Sequence, residues 1–295
     1  MIAAMQMRRP AIRGAALMVT TGALFAGANT LVQYATMGAG LQSTTVAFWQ
    51  YAVAFLFMLP LITAKGLAPL ATRHFPVHLI QVVFAAAGIQ FWVMGLAHVP
   101  IWQAIALAML SPFFVTIGAR IFLRERIAVE RWIAVATGFL GGMIILSPWS
   151  DRFTLYAILP VIAAALWAIA SLLMKRLTQT ESPATITFYV MLLLTPINLT
   201  VALGAGDLSM VGGAWAIAIA AGILTGLAQF TLASAYSVAD ASFLQPFDHL
   251  KLPVNVVLGI AVFGFMPPGS MLLGSAFIVG ASLYLLRQDG RALAA

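Results

Sequence analysis

Apolar runs of about 20 residues alternate with short polar breaks along the whole chain. Cutting at charges, Gly/Pro clusters and polar runs leaves ten apolar segments: 13–35, 44–63, 77–97, 101–121, 130–147, 154–175, 184–204, 212–236, 241–263 and 268–286. A helix needs roughly 20 apolar residues to cross the hydrocarbon of a bilayer. The pattern therefore predicts an all-α integral membrane protein with ten transmembrane helices. The apolar stretch after MIAAMQMRRPAIR is full length, so it is expected to be the first span and not a cleaved signal peptide.

Charge fixes the expected orientation. Thirteen of the 15 basic residues fall in segments that share one side if the N-terminus is inside: Arg8, Arg9, Arg13, Lys65, Arg73, Arg120, Arg124, Arg126, Arg131, Lys175, Arg176, Arg287 and Arg291. Only Arg152 falls outside, and Lys251 lies within a span. Basic residues collect on the cytoplasmic side of membrane proteins. Both termini are thus expected in the cytoplasm, and the net charge of +7 reads as a topology signal, not as a nucleic-acid footprint. Hydrophobic residues make up 62% of the chain and charged ones 8%, too apolar for a soluble core. There is no cysteine, so neither a disulfide nor a thiolate metal site is possible.

The two halves of the chain resemble each other. ALFAGANTLVQY (23–34) aligns with ALWAIASLLMKR (165–176) at an offset of 142, and SPFFVTIGARIF (111–122) aligns with LPVNVVLGIAVF (252–263) at 141. Five spans per half force the second copy to insert upside down. Inverted repeats of this kind characterise secondary transporters, whose substrate site lies between the repeats near the midplane. The expected boundaries are 1–150 for the first repeat and 151–295 for the second.

Three stretches carry a family resemblance: PFFVTIGARIFLRERI (112–127), FWQYAVAFLFMLPL (48–61) and QPFDHLKLPVNVVLGIAVFGFMPPGSMLLGSAFIVGASLYLLR (245–287). Their order and spacing resemble the drug/metabolite transporter superfamily, specifically its EamA-type ten-helix members. The resemblance implies two EamA-like five-helix repeats that carry small metabolites by alternating access. Family substrates include amino acids, nucleotide sugars and riboflavin, and many bacterial members export amino acids. The chain departs from the family pattern at Gln33 and Gln50, where cations are frequent, at Phe265, where an acid is, and at His249, where a tyrosine is.

Polar residues inside the spans are the candidate pathway. The ninth segment carries Gln245, Asp248, His249, Lys251 and Asn255. On a continuous helix they fall in an arc of about 160°. Charges within the membrane are costly and usually face a cavity or each other, and Asp248 and Lys251 are three apart and able to pair. Pro246 and Pro253 in the same segment, and Pro112 in the fourth, each remove a backbone hydrogen bond and are expected to kink or gate their helices. Asn29, Gln33, Gln50, Tyr51, Gln90, Trp92, Trp167, Ser171 and Gln229 are the remaining candidates; mid-span amides also serve as glue between helices. Lys175 is expected to snorkel to the inner surface.

An enzyme is not indicated. The sequence has no Gly-x-Ser-x-Gly, no P-loop and no His/Asp/Glu constellation for a metal, and its one Gly-x-Gly-Asp, 204–207, falls at the break between the segments 184–204 and 212–236 and not within a span. The reading is a multi-pass transporter of the bacterial inner membrane, without cofactor or metal, most simply an amino-acid exporter. The paired charges of Asp248 and Lys251 would face the ends of a zwitterion. The alternatives are a carrier of another small metabolite, such as a nucleoside derivative, vitamin or drug-like compound, or a non-transporting receptor or structural protein.

Overall fold

Pro112 and Pro253 stand 141 positions apart, and each lies just inside the start of a new helix. The computed structural model describes residues 2–294 apart from 65, 67–70, 97, 100, 147–153, 207, 211, 213, 249 and 265–268. Twelve α-helices occur among the described residues, and no strand. The first half has α1 (Ile2–Gln33), α2 (Ser43–Thr63), α3 (Phe75–Leu96), α4 (Ile101–Ala108), α5 (Ser111–Phe122) and α6 (Val129–Leu146). The second half has α7 (Ile158–Leu177), α8 (Pro183–Gly204), α9 (Ala214–Val238), α10 (Ala241–Asp248), α11 (Lys251–Phe263) and α12 (Gly269–Ala294). Six of these helices are long and apolar enough to cross a membrane: those within 11–36, 43–63, 75–92, 155–177, 183–204 and 214–238.

The fourth and ninth apolar segments are each two helices, not one. α4 stops at Ala108 and α5 starts at Ser111; α10 stops at Asp248 and α11 starts at Lys251. A proline is tolerated in the first turn of a helix, where its missing N–H would be unpaired anyway. Pro112 and Pro253 occupy such first turns, so the chain restarts there instead of bending. Pro246, by contrast, lies inside α10 without interrupting it. The continuous wheel over 245–255 therefore does not hold across residues 249–250, and His249 itself lies outside the described residues.

Packing between the halves is reciprocal. α1 packs on α9, and α7, its counterpart, packs on α3. α5 packs on α7, and α11 on α1. α2 meets α8, and α6 meets α12. Each of these contacts recurs with the corresponding helices of the two halves exchanged. In lipid the hydrophobic effect does not drive helices together, so close approach of small residues carries the packing. A Cβ on Gly141 of α6 would lie 2.5 Å from the carbonyl oxygen of Gly274 on α12, and a Cβ on Gly274 would lie 2.6 Å from that of Gly141. Gly222 and Gly226 of α9 likewise let Gln50, Val53 and Met58 of α2 come close.

The largest buried cluster joins the halves towards the end that carries Arg120, Arg124 and Lys175. It includes Val115 and Ala119 of α5, Leu172 and Met174 of α7, Met191 and Leu194 of α8, Tyr236 of α9 and Leu244 of α10. A second cluster around Leu107, Phe113, Ile145, Met271 and Ile278 holds α4 and α5 against α6 and α12.

Candidate functional site

The break between α10 and α11 places two charges where helix dipoles disfavour them. Asp248 ends α10 at its negative pole, and Lys251 begins α11 at its positive pole. They offset this by pairing: Lys251 Nζ lies 2.7 Å from Asp248 Oδ2, with side chains 21% and 12% exposed. Gly22 of α1 makes room, since a Cβ there would meet Lys251 Cβ at 3.0 Å. Asn255 donates to the Lys251 carbonyl at 2.8 Å. Gln245 is buried and donates to the Ala241 carbonyl at 2.6 Å and to the Tyr236 hydroxyl at 3.4 Å. Ser171 also engages the Tyr236 side chain.

Other expected residues meet across the halves. Trp92 of α3 and Trp167 of α7 have ring centroids 5.7 Å apart at 50°. Gly88, one turn before Trp92, leaves space for the Trp167 indole, whose Nε1 would be 2.6 Å from a Cβ. Gln50 of α2 donates to Thr225 Oγ1 of α9 at 2.7 Å. Tyr51 is half-buried against the large core cluster, and its carbonyl accepts from Thr195 at 3.4 Å. Gln33 and Gln229 are partly exposed, whereas Asn29 and Gln90 are exposed. The structure thus gathers Trp92 with Trp167, Gln50 with the face of α9, and Asp248 with Lys251; it gathers neither Asn29 nor Gln90 with them.

Sequence reasoning missed three polar devices at the basic end. Lys175 does not simply snorkel: Nζ donates to the carbonyls of Tyr236 at 2.9 Å and Ala239 at 2.7 Å, capping the C-terminus of α9. Glu125, in the α5–α6 loop, caps the next helix. Its carboxylate accepts from the backbone N–H groups of Ala241 at 3.1 Å and Ser242 at 3.2 Å, and from Ser242 Oγ at 2.6 Å. Arg131 donates to the same hydroxyl at 2.6 Å. The local cause is Arg124, which takes φ +56° and turns the chain out of α5 so that Glu125 faces α10. A non-glycine residue pays roughly 1 kcal/mol for that conformation.

The third device joins the α2–α3 and α7–α8 connections. Glu181 accepts a hydrogen bond from Thr72, and its oxygens lie 3.3 Å from His74 Nδ1 and 2.6 Å from His78 Nε2. Its side chain is 6% exposed and that of His78 is fully buried. His78 also stacks on Tyr189. Burial by itself would raise the Glu181 carboxyl, but the hydrogen bonds from Thr72 and His78 and the charge of His78 outweigh it and hold the group below the usual glutamate range. The legible signal was the i, i+4 spacing of His74 and His78 at the start of α3. Its partner, 103 residues after His78, left no trace in that spacing. Among the described residues no group of His, Asp and Glu is arranged to hold a metal ion.

The EamA-like transporter family profile matches twice, over residues 13–147 and 154–287. A riboflavin transporter of Rhizobium johnstonii is 50% identical over 281 residues, covering 95% of this chain and 93% of that protein. A riboflavin transporter of Vibrio cholerae is 49% identical over 93% of each chain. An S-adenosylmethionine uptake transporter of Rickettsia felis is 27% identical over 87% of each. One solved crystal structure has a TM-score of 0.73 over 94% of this chain and 97% of its own, at 16% identity, and so shares the fold. The chain belongs to the EamA-like transporter family of the drug/metabolite transporter superfamily, and it is a multi-pass membrane transporter of small metabolites, not an enzyme.

Proposed function

We propose that the protein carries riboflavin, or a closely similar flat heterocycle with a polar tail, across the bacterial inner membrane by alternating access. The observation that carries this reading is the half-identity, over nearly full length, to proteins named riboflavin transporters. The expectation of amino-acid export gives way to the vitamin alternative, which fits these relatives better. The chemistry of the interior supports the change. Asp248 and Lys251 neutralise each other, so neither stands ready for one end of a zwitterion. The cations frequent in the family are the neutral amides Gln33 and Gln50 here, which suits a neutral solute.

In this reading, residues 1–150 and 151–295 are inverted five-span repeats, ten spans in all, with both termini in the cytoplasm. The double family match and the reciprocal packing support the repeats, and the distribution of basic residues supports the orientation. Trp92 and Trp167 form the aromatic wall, on which a ring system stacks. Gln50 and Gln229 offer amides to ring carbonyls or hydroxyls. The breaks before Pro112 and Pro253 are the hinges, with Pro246 stiffening the end of α10, and the Asp248–Lys251 pair keeps the second hinge neutral.

The test is uptake of labelled riboflavin into liposomes holding purified protein, with competitors outside. Saturable uptake blocked by unlabelled riboflavin and untouched by amino acids is the expected result. Accumulation of an amino acid with no flux of riboflavin defeats the proposal. S-adenosylmethionine belongs among the competitors, because relatives at 27% identity are named for it.

A further inference from the structure

Two buried acceptors on one face of α3 have no hydrogen-bond partner among the described residues. His78 turns Nε2 towards Glu181 at 2.6 Å, and its Nδ1 is buried and unpaired. Gln81, 2% exposed, leaves Oε1 unpaired in the same way. Glu181 is held below the usual glutamate range and as a carboxylate can only accept, so Nε2 carries the hydrogen between them. When the imidazole is neutral, Nδ1 is then a bare lone pair. Residues three apart on a helix are neighbours. One proton added to Nδ1 turns two unpaired acceptors into a donor and its acceptor. Buried polar atoms left unpaired are costly and few in native folds, and a single proton answers both of these.

The surroundings suit that proton. His74, 44% exposed, touches the other Glu181 oxygen at 3.3 Å and joins the cluster to solvent. Glu181 and His74 are the charges that act on His78. Of the helices packed on α3, α7 carries Lys175, held by the carbonyls of α9, and the exposed Arg176, while α8 carries Tyr189, stacked on the His78 ring. Without the added proton the His78–Glu181 pair bears one negative charge; with it, imidazolium faces carboxylate and the pair is neutral. An uncompensated charge is costly against hydrocarbon, and a neutral pair is less so. The pair also joins the two halves, since His78 lies in α3 and Glu181 in the connection between α7 and α8. At 100° per residue, His78, Gln81, Gly88 and Trp92 fall within about 80° of one another on α3. Gly88, which makes room for the Trp167 indole, is about 10 Å along the axis from Gln81. One face of one helix thus carries both the unpaired acceptors and half of the aromatic wall.

We infer that His78, with Glu181 as its counter-charge and Gln81 as its acceptor, binds the proton that couples movement of the solute to the proton gradient. The proton comes from water by way of His74, adds to Nδ1 of His78 and leaves from the same atom once the halves have exchanged access; the Nε2 hydrogen stays with Glu181 throughout. Loading neutralises the bridge between the halves, and α3 carries the change to the face that holds Trp92. This rests on the alternating access and the aromatic wall proposed above.

Two measurements test the site. In liposomes with the membrane potential clamped, a pH gradient of about one unit changes steady-state riboflavin accumulation about tenfold if one proton moves per solute, inward for symport and outward for antiport. His78→Gln keeps a donor for Glu181 but has no titratable nitrogen. It is expected to erase the response to the gradient while riboflavin counterflow at equal pH persists. The second measurement needs no substrate: nitrogen NMR shifts of the labelled imidazoles, with His78 assigned from the signal that His78→Gln removes. Nδ1 of His78 is expected to gain a proton between about pH 5 and 8 while Nε2 keeps its own. Gln81→Leu removes the acceptor, and a lower pH is then expected for the same change. Accumulation that ignores the gradient in the parent, a His78→Gln variant that still follows it, or an Nδ1 that does not titrate in that range overturns the proposal. If His78→Gln fails to fold, Gln81→Leu decides in its place, and an unmoved titration overturns the proposal. Absence of riboflavin counterflow in the parent defeats the substrate reading alone, because the nitrogen shifts still read the proton site.

Discussion

Lys251 and Asp248 face each other across a helix break at 2.7 Å, each countering the charge that its partner's helix terminus disfavours. Removing one partner leaves the other charge poorly solvated. Lys251→Met alone is expected to lower stability by roughly 3 kcal/mol, whereas Asp248→Asn with Lys251→Met costs less than about 1 kcal/mol. Thermal unfolding in detergent measures both. Riboflavin uptake by the double variant is expected to stay within about twofold of the parent, and loss of uptake would place the pair in contact with substrate.

The Trp92–Trp167 pair should carry recognition of the ring system. Aromatic pairs contribute about 0.5–1.5 kcal/mol beyond area burial, so Trp92→Ala or Trp167→Ala is expected to raise KM for riboflavin about three- to tenfold. Substitution by Phe is expected to restore most of it. A fall in kcat with KM unchanged would assign the rings to packing or gating.

Gly141 and Gly274 are the test of the α6–α12 contact. A Cβ on either meets the carbonyl oxygen of the other, which cannot move aside as a side chain can. Gly141→Val is therefore expected to cost about 1–3 kcal/mol through forced separation of the helices, seen as a lower Tm in detergent. Gly280, whose Cβ position is open, should accept alanine with little change.

Glu181 predicts how stability depends on pH. Its folded pKa lies below its ordinary value of 4.5. The stabilisation is then fully present above that value and is lost as pH falls through the depressed folded value. Glu181→Gln is expected to flatten the acid limb of a Tm-against-pH curve and to lower Tm near neutrality, by roughly 1–3 kcal/mol for the lost charged hydrogen bonds. An unchanged acid limb would show that other carboxylates govern it.

Much of the fold was legible because burial in lipid leaves a local signature. The long apolar segments and the small residues of α9 report the free energy of one stretch of chain against hydrocarbon, whereas Pro112 and Pro253 were expected to kink their helices and instead start new ones. The fourth and ninth segments were misread as single helices because hydropathy does not register a two-residue gap. Sequence alone also marked Asp248 and Lys251, since charges in an apolar run are conspicuous.

What only the tertiary structure decided is who meets whom. Lys175 reads as an interfacial lysine until α9 presents its last carbonyls to it, and Glu125 reads as a loop charge until Arg124 turns it onto α10. Glu181 and His78 are far apart in sequence and adjacent in space. Periodicity records how each helix faces its solvent, and the bilayer is the same solvent for every helix. Pairing between helices depends on shape and polar geometry brought together from distant segments, so it is settled only when the halves pack.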